Sequence, residues 1–326
     1  MYHEYRKLSF KIVNALRIKE GYNPLAFITL CSLLLLSSFA LAADVIISGE
    51  GTPIGTALDS HLDTADGNDI RWFKTLPNEG NEYTIENTSH YDSGFTNPYY
   101  TSPYPIGVGE GVTLNIVGTG DTAGINFTNG AVFYQSYGTI NITGTGGTVT
   151  NAFSHGIGMN PGSLAIFQNE NSVMNTTGNS GTGAGAVGYG IYIGNSDFVK
   201  EGNGVLNVIG NSGTVTGASA FGMYVYGGFA QEGGGIINAT GNGGAGDNSV
   251  AHGIYAGTLS LSGNGAINAI GNGGTGHHSV GYGIFIGLGN LVILGNGIIS
   301  ATGNSGIGNS ADGYGIYIEN GDLGAL

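Results

Sequence analysis

Carboxylates in the second half of the chain are the first candidates for chemistry. Asp197 and Glu201 stand four residues apart, and Glu232 follows 31 residues after Glu201. Cleavage of an acidic sugar needs clustered carboxylates and a basic group that stabilises the developing charge. Lys200 is the only Lys or Arg after residue 74. The pattern therefore favours a solvated strand edge over a catalytic pair.

Histidine offers a second route to acid–base or metal chemistry. His155 and His252 occupy positions where equivalent segments carry Tyr or Phe, which predicts stacked rings rather than ligands. His277 and His278 are adjacent in a glycine-rich segment, whereas a metal site needs three or four convergent ligands. We therefore expect no catalytic residue, no metal site and no cofactor.

One acidic segment, Asp59 to Asp69, suggests a calcium ion, because hard cations prefer oxygen ligands. Aligned on Gly67, an EF-hand loop would place Leu62 at its first ligand position and Phe73 at its last, so that template does not fit. A bound ion and a solvated acidic loop both remain open.

An internal repeat defines the elements that position these side chains. The pattern aromatic–Gly–apolar–x–apolar, with His as the first residue in two copies, has successive glycines 34, 32, 31, 30 and 32 residues apart. These glycines are Gly156, Gly190, Gly222, Gly253, Gly283 and Gly315. A Gly-Asn pair repeats with the same steps from Asn179 to Asn304. A fixed period of this length predicts a solenoid.

Within each repeat the apolar residues alternate with period two, which is typical of strands. Leu206 and Val208 share one face while Asn207 points to the other. Glycines interrupt every window of helical length. We therefore predict an all-β fold over residues 107–326: a right-handed, single-stranded parallel β-helix with 30 to 34 residues per coil, three short strands and one glycine-rich loop.

Two columns of outward side chains follow from this phase. The first is an aromatic stripe and our candidate binding face: Tyr192, Tyr224, Tyr255, Phe285 and Tyr317. Exposed aromatic rows bind partners or sugars, and they also stabilise successive coils by self-stacking, which we favour here. The second is an amide ladder: Asn141, Asn175, Asn207, Asn238 and Asn268.

The N-terminus has the pattern of a secretory signal. Five basic residues precede a fifteen-residue apolar stretch from Leu25 to Phe39, and Ala40-Leu41-Ala42 supplies a cleavage site. The stretch is shorter than the ~20 residues that span a bilayer as a helix. We expect a signal peptide at 1–42, no stable membrane span after its removal, and a terminal cap with irregular first coils at 43–106.

Beyond residue 43 three basic residues face twenty acidic ones. Nucleic-acid binding needs a basic surface, so it is not expected, and an anionic membrane surface would repel the chain.

The long signal, the Gly-Asn turns and the Tyr-Gly-Ile-Tyr-Ile strands resemble passenger domains of Gram-negative autotransporters and similar β-helical adhesins. The resemblance implies secretion to the cell surface, outer-membrane association and a role in adhesion, autoaggregation or virulence. Its partners would be a host surface protein, a glycan or the chain itself. Autotransporters end in a barrel of alternating strands, which this sequence lacks, so a C-terminally truncated passenger is expected.

Two other functions stay open at this point. The architecture resembles β-helical polysaccharide lyases and hydrolases, although the basic and clustered acidic residues of those enzymes are missing. A nonfunctional remnant is the third reading. We expect a binding module rather than an enzyme.

Overall fold

The computed structural model describes residues 45–48, 62–64, 71–73, 82–87, 106–108, 113–118, 124–127, 131–135, 138–148, 150–159 and 162–325. These ranges contain strands and no helix, hence no helix that could cross a membrane. The predicted signal peptide at 1–42 lies outside them. So does the acidic segment from Asp59 to Asp69, apart from the backbone of one short strand.

Twenty-four strands are described. The first twelve are β1 (Val45–Ser48), β2 (Leu62–Thr64), β3 (Arg71–Phe73), β4 (Glu82–Asn87), β5 (Ile106–Val108), β6 (Thr113–Gly118), β7 (Ile125–Phe127), β8 (Ala131–Gln135), β9 (Gly138–Thr145), β10 (Phe153–Met159), β11 (Leu164–Gln168) and β12 (Ser172–Asn179). The others are β13 (Val187–Ile193), β14 (Phe198–Gly202), β15 (Val205–Asn211), β16 (Ser219–Glu232), β17 (Ile236–Asn242), β18 (Val250–Ser262), β19 (Ala266–Asn272), β20 (Val280–Ile286), β21 (Leu291–Leu294), β22 (Ile298–Asn304), β23 (Asp312–Ile318) and β24 (Leu323–Ala325).

The strands form two sheets. Sheet A has nine strands in the order β1-β4-β6-β9-β12-β15-β17-β19-β22. Sheet B has fifteen strands and contains two series, one running through the aromatic segment of each repeat and one through the segment that follows it. In β16 and β18 the two segments are continuous, and a register shift after Val225 marks the corner between them.

Every described pairing between successive coils is parallel and in register, and the one antiparallel pair is β2–β3. The chain winds about six turns. The prediction of an all-β parallel β-helix with three strands per coil is confirmed. Strands β1 and β4 already join sheet A in parallel, while the role of residues 43–106 as a cap stays a prediction.

The apolar alternation places the core as predicted. Leu206 and Val208 are fully buried, and the outward Asn207 lies half-buried between them. Asn207 Nδ2 donates to Asn175 Oδ1 at 2.8 Å, and the ladder continues at 2.7 to 2.8 Å from Asn115 to Asn268. In-register pairing brings identical side chains together, so the amides satisfy one another.

The Gly-Asn pairs do not form the turns that the sequence suggested, because they lie at the ends of strands. Asn179, Asn211, Asn242, Asn272 and Asn304 are the last residues of sheet A strands. Their side-chain amides form a second ladder at 2.7 to 2.8 Å. The amide ladder extends the strand through the position where the sequence pattern suggested a turn.

The interior also contains buried polar side chains that the sequence did not reveal, with Gln135 and Gln168 in one column and Lys200 and Gln231 in another. Gln168 Nε2 donates to Gln135 Oε1 at 2.8 Å, and Gln231 Nε2 donates to the Gly235 carbonyl. Lys200 pairs in register with Ile166 on one side and Gln231 on the other. It is fully buried and donates one hydrogen bond of 3.3 Å to the Gly202 carbonyl.

Burial lowers the pKa of Lys200 to about 8. Removing an ammonium from water disfavours its charged form, and no carboxylate is paired with it to compensate. The folded protein therefore holds the proton less tightly than the unfolded chain, whose lysine titrates near 10.5. The free energy of unfolding is therefore highest above pH 10.5, where Lys200 is neutral in both states, and this contribution is lost as the pH falls to 8.

We predict that Lys200→Leu stabilises the protein in a pH-dependent way, since Leu261 fits the equivalent position two coils away. The shift corresponds to about 3 kcal/mol at pH 7 and about 1 kcal/mol at pH 10. The lost hydrogen bond offsets about 1 kcal/mol at both. Urea denaturation should show the variant about 2 kcal/mol more stable at pH 7 and equal at pH 10. Glu201→Gln, the outward neighbour, is the control and should show no such dependence.

Candidate binding face

The aromatic stripe forms a continuous stack. Tyr192, Tyr224, Tyr255, Phe285 and Tyr317 lie on successive coils with ring centroids 4.7 to 5.4 Å apart and interplanar angles of 8 to 25°. Their positions pair in register from strand to strand. The predicted outward column is confirmed as a structural feature, and its role in binding stays a prediction.

A second column of rings lies beside the stripe. It consists of the first residue of each repeat motif: His155, Tyr189, Phe221, His252, Tyr282 and Tyr314. Neighbouring centroids are 4.6 to 5.5 Å apart and the planes are within 21° of parallel. The stacked-ring interpretation of His155 and His252 is therefore confirmed.

The two columns contact each other edge to face. Within one coil the ring of Phe221 meets that of Tyr224 at 5.4 Å and 90°, and Tyr282 meets Phe285 at 5.3 Å and 89°. Edge-to-face pairs place the positive ring edge on the negative face, which stabilises them beyond simple burial. The eleven rings thus form one structure, which we call the aromatic band.

A bend at the motif glycine brings both columns to the same side. Residues three apart in a regular strand point to opposite faces, yet the rings of Tyr189 and Tyr192 are 4.9 Å apart. Gly190 lies between them, forms no register pair with the neighbouring coils, and lies against sheet A. A Cβ there would lie 2.4 Å from Val208 Cγ1 and 2.6 Å from the Gly222 carbonyl oxygen, so only glycine fits.

Stacking determines which part of each ring a partner can reach. Each internal ring has its faces against the rings above and below, so solvent reaches the edges. Tyr224 and Tyr255 are half-buried, whereas Tyr189 and His252 are only 7% and 6% exposed. The stripe can therefore offer phenol hydroxyls and ring edges, but not the open ring faces on which sugars stack.

Burial keeps the phenols of Tyr189 and Tyr224 neutral. Burial, and then the neighbouring tyrosines, raise the pKa of Tyr224 to about 12, and burial raises the pKa of Tyr189 further. Tyr226, 43% exposed, lies close enough to Tyr224 and Tyr255 to raise the pKa of each. Tyr226 lies in the segment between Val225 and Gly228, where the register with β18 is interrupted.

The histidines of the band are neutral as well. Burial lowers the pKa of His155 to about 4 and that of His252 to about 3. The ring of His252 is stacked between Phe221 and Tyr282, and its Nδ1 has no hydrogen-bond partner. Both imidazoles act as flat apolar rings.

The other candidate residues do not converge. Glu201 and Glu232 are neighbours in register, as the sequence suggested. Asp197 lies before β14, where its carboxylate accepts a hydrogen bond of 2.7 Å from the Gly228 amide. His277 and His278 are exposed in their loop. Among the described residues no three His, Asp, Glu or Cys side chains come together as metal ligands.

Sequence reasoning predicted stacked rings at the His155 and His252 position but missed that this column lies beside the stripe, and it missed the exposed Tyr226. The signal for the contact between the columns was present as aromatic–Gly–apolar–aromatic, with a glycine that allows the bend. The inward position of Lys200 was also missed, although Lys200 has the same parity as Phe198.

No protein-family model matches the chain, and no curated protein and no solved structure shows significant similarity.

We predict that His252→Phe reduces the acid sensitivity of the protein. Because the folded pKa is depressed, stability from His252 is present above pH 6.5 and is lost as the pH falls toward 3. At pH 4 this group lowers the free energy of unfolding by about 3 kcal/mol relative to neutral pH. Phe221 shows that phenylalanine fits the column. Thermal melts at pH 7 and pH 4 should show a smaller drop for the variant. An unchanged drop would contradict the neutral stacked imidazole.

Proposed function

We propose that the chain is an exported binding module, secreted or held at the bacterial surface, that recognises its partner through the edge of the aromatic band. The observation that carries this proposal is the preorganised row of stacked tyrosines on one outer corner of the solenoid. Rings that are already stacked lose little conformational entropy on binding, which favours recognition by Tyr192, Tyr224 and Tyr255.

The placement of the basic and titratable groups supports binding without catalysis. Lys200 is enclosed in the core, where it cannot meet a substrate. His155 and His252 hold their rings in the band with pKa values far below neutrality, which makes them weak bases. Asp197 is engaged with a backbone amide.

Charge restricts the class of partner. Lys200 is the only Lys or Arg after residue 74, and it is buried, so no lysine or arginine lies on the surface of the described repeats. Acidic polysaccharides and nucleic acids would be repelled by the remaining carboxylates. We infer a neutral glycan or a host surface protein with a neutral or basic site.

Export and surface location rest on the signal-like residues 1–42 and on the resemblance to autotransporter passengers. The β-helical architecture agrees with such a passenger. We therefore propose that the signal peptide directs the chain across the inner membrane and that the chain acts outside the cell.

Binding of the purified chain to immobilised neutral glycans and host matrix proteins tests the proposal. Replacing Tyr192, Tyr224 and Tyr255 by Phe removes three hydroxyls and keeps the stack, since Phe285 already fits this column. We expect at least about a tenfold rise in Kd, the equivalent of one lost hydrogen bond. Tyr189→Phe removes a buried phenol and is the matched control, which should bind as the parent does.

Circular dichroism should show the same strand content in all variants. If the triple Phe variant and a triple Ser variant both bind as the parent does, the aromatic band is not the binding face. Cleavage of any polysaccharide in the panel would favour the enzymatic alternative instead.

A further inference from the structure

The outer face of sheet A from β6 to β22 differs from the rest of the described surface because these strands contain no charged residue. The seven strands β6, β9, β12, β15, β17, β19 and β22 contain no Asp, Glu, Lys, Arg or His, and no aromatic residue. In the described residues after 150, the carboxylates lie in sheet B and in the loops. Covering a surface without charged groups removes few ions from water, so the desolvation cost of burying this face is small.

Apolar side chains stand exposed along this face in two columns. Ile236 is 38% exposed and Ile298 67% in the column that precedes the first amide ladder. Ile209 and Ile270 are each 37% exposed in the column between the two ladders, where they alternate with Thr177, Thr240 and Thr302. On this face, columns of largely β-branched side chains therefore alternate with amide columns, and in-register pairing repeats each column at the ~4.8 Å strand spacing.

The amide ladders are rigid and only partly satisfied. Each internal asparagine, such as Asn207, uses one N–H and one acceptor position along its ladder. A side-chain amide has two N–H groups and two acceptor lone pairs, so one donor and one acceptor remain for a partner. The face thus presents equal numbers of donors and acceptors, and an identical face complements it.

We propose that this outer face of sheet A is the interface between two copies of the chain. Six strand spacings of ~4.8 Å and seven residues of ~3.3 Å give about 600 Å² per copy and about 1,200 Å² in total. That total reaches the lower end of the range for specific interfaces. Two β-sheets pack face to face when their outward side chains interdigitate, which the β-branched columns allow.

The chemistry of the face favours a second copy over a polysaccharide. Sugar sites commonly use an exposed aromatic ring, and these seven strands contain none. A second copy offers the same apolar and amide columns at the same spacing. Both copies are acidic, so the carboxylates outside the face repel each other and salt strengthens the pairing by screening them.

Sedimentation of the purified chain over a wide concentration range tests this inference. We expect a monomer–dimer equilibrium whose Kd falls severalfold when the salt is raised from low to physiological ionic strength. Ile236→Glu places an unpaired charge within the face and should raise the dimer Kd by about tenfold or more. Leu288→Glu adds the same charge at a 57% exposed position outside sheet A and should leave the dimer unchanged.

Ile236→Val, which copies Val205 of the preceding coil, should also keep the dimer. A parent chain that stays monomeric while folded, or a dimer that Ile236→Glu leaves intact, would overturn the inference. So would a monomer that binds a neutral polysaccharide and loses this binding with Ile236→Glu. The sedimentation measurement contains no glycan or host protein. A negative result therefore contradicts the dimer interface alone and does not bear on binding by the aromatic band.

Discussion

In-register parallel pairing between successive coils is the constraint on which the other features depend. Each residue of a coil lies beside its counterpart from the previous repeat, as Asn207 lies beside Asn175 and Tyr224 beside Tyr192. A side chain is therefore selected for compatibility with a copy of itself. Amides and neutral rings meet this condition, because they attract their own kind. Like charges repel at this spacing, which agrees with a chain of only 9% charged residues.

The same constraint explains both the interior and its exception. Stacked Ile, Leu, Val and Met fill the core, and Gln168 Nε2 donates to Oε1 of its in-register counterpart Gln135. Lys200 interrupts this order, because an ammonium cannot be stacked on another ammonium in a dry interior. It occurs once, between an isoleucine and a glutamine. Its depressed pKa follows from burial without a carboxylate partner.

Repetition is also what made the fold predictable from sequence. The fixed period and the alternation of Leu206, Asn207 and Val208 are enough to give the coil, the strands and the direction of most side chains. The contact between the two ring columns was missed because the bend at Gly190 breaks the alternation by one residue, and a parity argument assumes an unbroken strand. Lys200 was missed because residue type suggested the surface, whereas its position relative to Phe198 placed it inside.

Neutral columns have a consequence for recognition. A charged interface steers its partner over long distances, whereas stacked phenols and amides act only at contact, through shape and hydrogen bonds. Their donors and acceptors recur once per coil, so the contact area grows with the number of coils that a partner covers. A binding face of this kind suits an extended or repetitive partner better than a compact one. The aromatic band lies in sheet B and the uncharged face in sheet A, so one rigid solenoid presents both at once.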